Sequence, residues 1–152
     1  MPFLSDHRHH TPYSAPQDAK QWLEDVERLL STIRDMPLHA KTKKMMLNRT
    51  IWLVVELTGN FYSRFRSAGV LAKVGVRIQR DHIYPRKQLV AEVLAREVEL
   101  ASIIERAECC IVTKEEHDLL SKVKATVQGR ERYALAGVEI HDMTTHVYFS
   151  RE

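Results

Sequence analysis

"CCIVTKEEHDLL", residues 109–120, changes its hydrophobic period halfway along. Cys109 to Val112 is a short continuous apolar run, and by composition it reads as a buried strand. Thr113 then offers a hydroxyl as a helix N-cap, and Glu116, three residues on, completes a capping box. The spacing therefore predicts a strand running directly into a helix. His117, four residues past the cap, lies on that helix.

A partner strand lies upstream in "VRIQRDHIYPRK", residues 76–87. Val74, Val76 and Ile78 alternate with Gly75, Arg77 and Gln79, which is the period of a strand. The run ends in Asp81-His82, with Pro85 closing it. The two strand signals and the capped helix predict a small antiparallel β element near residues 75–82 and 108–113, packed on the helix that starts near Thr113. Elsewhere the period is helical. Trp22, Leu23, Val26, Leu29, Leu30 and Ile33 form one stripe, ended by Asp35-Met36-Pro37. A second helix spans about Leu38 to Leu57, with Thr58-Gly59-Asn60 as its C-terminal signal. "SAGVLAKVG" suggests a turn or short helix. Leu89, Val90, Val93 and Leu94, then Val98, Leu100, Ile103 and Ile104, fit one or two amphipathic helices. "ERYALAG" reads as a last short helix ended by Gly137, with Arg132 and Tyr133 docking it onto the core. "VEI" and "VYF" flank "HDMTTH" as a terminal hairpin, in which His141-Asp142 is read as structural. The expected class is α+β, mainly α. It comprises a flexible His-rich arm over 1–16, a helical part over 17–73, and a small core with a helical insertion over 74–152.

With 44% hydrophobic residues, this 152-residue chain can build a core without staples. A net charge of +3, from 23 basic and 20 acidic residues, excludes neither a nucleic-acid partner nor an ordinary charged surface. The cations are concentrated in "HAKTKK" (39–44), "YSRFR" (62–66) and "PRK" (85–87). Cys109 and Cys110 are adjacent, which suits neither a routine structural disulfide nor a zinc knuckle. The longest apolar run, "IWLVVEL" (51–57), is too short for a bilayer. These features, with no charged-then-apolar leader, set the expectation of a cytoplasmic protein without a membrane partner.

The strand-helix arrangement lets Asp81 and His117 converge as oxygen and nitrogen ligands on one divalent ion, leaving positions for water and phosphate. His82, beside that ion, would be available to take a proton from water. "DHIYPRKQL" followed by "CIVTKEEHDLL" resembles the HNH, or ββα-metal, endonuclease family, over roughly residues 74 to 120, and "RERYALAGVEI" more weakly resembles the tail of some phage and bacterial members. The resemblance implies a metal-dependent DNA endonuclease with His82 as general base and Asp81 and His117 as metal ligands. The family's bracing Asn has no Asn counterpart; Cys109 or Glu108 stands near its place, so Cys109 would support the base. Ser121 replaces the second helical His of some members, which implies a sparsely liganded Mg²⁺ or Mn²⁺ site, with Zn²⁺ as the alternative. Arg80, Tyr84, Arg86 and Lys87 would grip phosphates.

Three function classes stand at this point. One is the endonuclease, and one is an HNH-fold nucleic-acid binder or phage modulator with weak or no turnover. The third is a helical interaction module in which the Asp-His pair is incidental. The oligomeric state is open, with a homodimer among the options.

Overall fold

The computed structural model describes residues 3–57 and 61–144. The described residues form a mainly helical α+β protein with a small sheet, as the periodicity predicts. In order, the elements are a 3₁₀ turn (His7–His10), α1 (Ala19–Asp35), α2 (Ala40–Glu56), β1 (Phe65–Ser67), α3 (Ala68–Ala72) and β2 (Ile78–His82). These are followed by α4 (Arg86–Ala95), α5 (Leu100–Arg106), β3 (Cys109–Thr113), α6 (Lys114–Ser121), α7 (Gly129–Ala136) and β4 (Ile140–Asp142). Among the described residues, no helix is long and apolar enough to cross a membrane.

Two compact units are present, each assembled from separated segments of chain. Of the described residues, the sheet unit takes 3–14, 61–83 and 109–144, and the helical unit takes 15–57 and 84–108. This corrects the expected division at 17–73 and 74–152. The insertion helices α4 and α5 are not an appendage of the β element. They share one core with α1 and α2, in which Val26, Leu30, Leu47, Ile51, Leu89, Val93 and Ile103 are buried. The physical reason is that four amphipathic helices of this length each carry one apolar stripe, and only together do they cover it. Trp22 donates from Nε1 to the Leu53 carbonyl at 2.8 Å, so its one polar atom is satisfied inside that packing.

In the sheet unit the strand order is β2-β3-β1-β4. β2 and β3 are antiparallel, with Ile78 opposite Thr113, Asp81 opposite Cys110 and His82 opposite Cys109. β1 runs parallel to β3 and antiparallel to β4. All five residues of β3 are buried, as a continuous apolar run requires when strands flank it on both sides. The sheet is wider than the antiparallel pair expected from sequence. β1, three residues with a charged centre, has no legible period. The expected strand beginning at Val74 starts at Ile78, since residues up to Arg77 pair instead with the N-terminal segment. The hairpin of "VEI" and "VYF" is also revised: β4 pairs with β1, and "VYF" lies outside the described residues.

The expected loose arm is docked in its described part. Leu4 bridges Arg77, Ser5 N–H donates to the Val76 carbonyl at 2.8 Å, and Ile78 N–H donates to the Phe3 carbonyl at 3.0 Å. A second anchor is Arg66, fully buried at the centre of β1. Its Nη1 donates to the carbonyls of Arg8, His9 and Thr11 at 3.0, 2.8 and 2.6 Å. A buried guanidinium must find acceptors, and the N-terminal backbone supplies them.

Candidate active site

β2, β3 and α6 form a strand-strand-helix unit, and the side chains singled out in the sequence sit on it. The helix begins where the capping box predicts. Thr113 Oγ1 accepts from Glu116 N–H at 3.1 Å, and Glu116 Oε1 accepts from Thr113 N–H at 2.9 Å. The same carboxylate accepts from the Ser67 hydroxyl and from Gly69 N–H at 3.3 Å. Position 69 must be glycine for this: a Cβ there would lie 2.6 Å from Glu116 Oε1. The start of α6 is thereby tied to the junction of β1 and α3, and His117 is held one turn further on.

Asp81 is 5% exposed and points toward α6 and α7. Its Oδ2 accepts from Arg132 Nη1 at 2.7 Å and from the Tyr133 hydroxyl. Its Oδ1 lies 4.0 Å from His117 Nε2, whose side chain is about one-third exposed. Burial, reinforced by the nearby Cys110 and Asp81, pushes the Tyr133 phenol far above its ordinary range, so it stays protonated and donates. Burial likewise pushes the Cys110 thiol up. The network around Asp81 is thus one carboxylate, one guanidinium, one neutral phenol and one imidazole at the rim.

Of the three residues expected to converge, the structure brings Asp81 and His117 together but turns His82 to the other face. The reason is strand alternation: neighbours in a pleated strand project to opposite sides. His82 shares its face with Cys109, directly opposite in register, whose Sγ lies 3.3 Å from His82 Nδ1. The thiol therefore stands beside the imidazole. The Cys109 carbonyl accepts from the Ser63 hydroxyl at 2.6 Å, tying this end of β3 to the segment before β1.

Arg80 lies on the His82 face of β2, with its guanidinium 4.7 Å from the centre of the Phe61 ring. The other three expected phosphate contacts belong to the helical unit. Tyr84 is packed against the helical core with Arg106 over its ring, Arg86 lies over Trp52 at 4.4 Å, and Lys87 lines a hollow with Lys44 and Asn48. Arg132 and Tyr133 are the residues whose site role the sequence did not disclose. They read there as docking groups, and nothing local in "RERY" points to a partner fifty residues upstream.

The donor set can be tested against a divalent ion. A metal–ligand bond to oxygen or nitrogen is about 2.1 Å, so a 4.0 Å gap lets Asp81 Oδ1 and His117 Nε2 touch one ion. Asp81 Oδ2 is engaged by hydrogen bonds, as the outer oxygen of a ligating carboxylate commonly is. The pair fits as two ligands of an ion that takes its remaining ligands from water or phosphate. Among the described residues no group of three His, Cys, Asp or Glu could hold an ion alone. No protein-family model matches the chain, and no curated protein or solved structure gives a significant match.

Proposed function

We propose that this chain is an HNH-type nuclease that hydrolyses phosphodiester bonds in DNA with the help of a divalent ion. One observation carries the reading: Asp81 near the end of a strand and His117 on the capped helix of a strand-strand-helix unit stand 4.0 Å apart. Asp81 and His117 would hold the ion, Mg²⁺ or Mn²⁺ with Zn²⁺ as the alternative, and when bound it supplies charge stabilisation at the leaving oxygen. His82 is the general base that the resemblance implies; since β2 turns it to the face opposite Asp81, that role stands or falls on the His82→Ala test below. Cys109 acts through His82, its thiol orienting the imidazole in the place where the family uses Asn. The two cysteines are buried and not joined in a disulfide, which suits a reducing compartment, and the cytoplasm is the location proposed.

The test is incubation of supercoiled plasmid with the pure protein and Mg²⁺, Mn²⁺ or chelator. Nicking that requires the metal is expected, as is a loss of roughly 10² to 10⁴ in rate for His82→Ala with DNA binding retained. Asp81→Ala should abolish cleavage and metal dependence together. Unchanged cleavage by His82→Ala would overturn the mechanism.

A second reading has its own observation. The Arg132 guanidinium, 2.7 Å from Asp81, already neutralises the carboxylate, and a cation there opposes a second cation. An HNH-fold protein that binds nucleic acid without turnover would show salt-sensitive DNA binding and intact plasmid with every ion.

A further inference from the structure

A groove of about 350 Å³ runs along the start of β2, at the edge of the sheet. Its lining includes Phe3, Phe61, Arg77, Arg80 and Lys114 over an Ile78 floor. The volume lies within the ~300–1,000 Å³ of ordinary ligand sites. Three features set its chemistry. The first is aromatic: the rings of Phe3 and Phe61 lie 4.1 Å apart at 31°, and Phe3, 54% exposed, leaves much of its surface to solvent. The second is charge. Arg77, Arg80 and Lys114 are all cations, and among the described residues no carboxylate lines the groove. Lys114 pairs with exposed Asp118 on its own helix, 3.2 Å away, a surface contact that water and salt weaken. The third is position: Arg80 and His82 are alternate residues of one strand, so they share a face about 7 Å apart.

Exposed aromatics beside a row of cations are the recognition chemistry of unpaired bases and their phosphates. A duplex keeps its base faces stacked and would use only the cations. An acidic protein surface would use the cations and leave the rings idle. We propose that this groove binds single-stranded nucleic acid, with a base stacked on Phe3 and phosphates held by Arg77, Arg80 and Lys114. The proposal rests on the nucleic-acid half of the function given above, and it holds whether or not the Asp81–His117 pair supports hydrolysis. It names the substrate form: an unpaired strand.

The test is fluorescence anisotropy of a labelled oligothymidylate, alone and annealed to its complement, titrated with the full chain in chelator over a series of salt concentrations. Tighter binding of the single strand is expected. Phe3→Ala should weaken single-strand binding about 5- to 100-fold, leave duplex binding unchanged, and be rescued by Phe3→Trp. Arg77→Glu should weaken both and reduce the steepness of the salt dependence by about one phosphate contact. Both residues are exposed, so these variants should fold; their circular dichroism should match the parent. Equal affinity for both strand forms, or Phe3→Ala binding like the parent, overturns the proposal. If Phe3→Ala binds single strands normally while the protein nicks plasmid, the groove reading fails and the nuclease reading stands. If binding depends on Phe3 and no ion supports nicking, the reverse holds.

Discussion

His9 shows how one side chain sets a property of the sheet unit. It is 1% exposed, its Nδ1 accepts from Asp6 N–H at 3.0 Å, and its Nε2 bonds the Phe61 carbonyl at 2.9 Å. That bond assigns the proton to Nε2, so the neutral ring satisfies both partners and a second proton on Nδ1 would break the Asp6 contact. Burial pushes the His9 pKa below the ordinary histidine value; the Phe61 carbonyl and Asp6 only partly offset it, and Arg66 and Arg8 add to the lowering. The unfolded chain therefore binds this proton more readily than the folded one. Stability from His9 is complete above the unfolded pKa, near 6.5, and is lost as pH falls from there toward the lower folded value. Urea denaturation at pH 8 and pH 5 should show the parent weaker in acid. His9→Leu should lack most of that difference, and an equal pH response in the variant would show that other groups cause it. Sequence reading assigned His9 to a disordered tail, because a His-rich, Pro-containing stretch carries no sign of the buried Arg66 whose acceptors it supplies.

At the scale of elements, the β2–β3–α6 unit was largely legible. Thr113 and Glu116 form the capping box that their spacing announces, and Cys109–Thr113 is the buried strand that its composition announces. α7 ends at Gly137 in the left-handed conformation, φ 73°, as a helix-terminating glycine should. Less legible was what α7 does. Through Arg132 and Tyr133 it supplies Asp81 with two donors, and Arg132 places a positive charge on the other oxygen of the carboxylate that would hold the proposed ion. Replacing Arg132 with Gln keeps a donor and removes the charge. On the nuclease reading, Mn²⁺ should then bind more tightly, by roughly tenfold for about 1.4 kcal/mol of relieved repulsion. Calorimetric titration of Mn²⁺ into the parent, Arg132→Gln and Asp81→Ala measures this. No change in Arg132→Gln would mean the guanidinium does not compete for the site.

At the scale of the whole molecule, the chain leaves the sheet unit at Ile83 and returns at Cys109, having contributed two helices to a separate core. If residues 84–108 were a decorative insertion, substitutions inside it would be tolerated. The shared core predicts otherwise. Leu89 and Ile103 are fully buried among α1 and α2 residues, so Leu89→Ala and Ile103→Ala should each cost about 2–5 kcal/mol, comparable with Leu30→Ala in α1. Chemical denaturation followed by helical circular dichroism measures all three. A loss below about 1 kcal/mol at both insertion positions would contradict a common core.

What the sequence determined by itself is what depends on neighbours a few residues apart. It determined the helices with their stripes, the cap at Thr113, the strand at Cys109–Thr113, and the candidacy of Asp81, His82 and His117. Alternation along β2, with His82 facing away from Asp81, was implicit too; what the register adds is that His82 meets Cys109 and Asp81 meets Cys110. Tertiary structure decided the rest: which helices share a core, that Arg66 draws the N-terminal segment onto the sheet unit, and that Arg132 and Tyr133 hold Asp81. Those outcomes rest on contacts between residues far apart in the chain, for example 31 positions for Trp22 and Leu53 and 58 for Arg66 and Arg8. No local period encodes them, because burying a charge or an apolar stripe demands a partner without specifying where in the chain it lies.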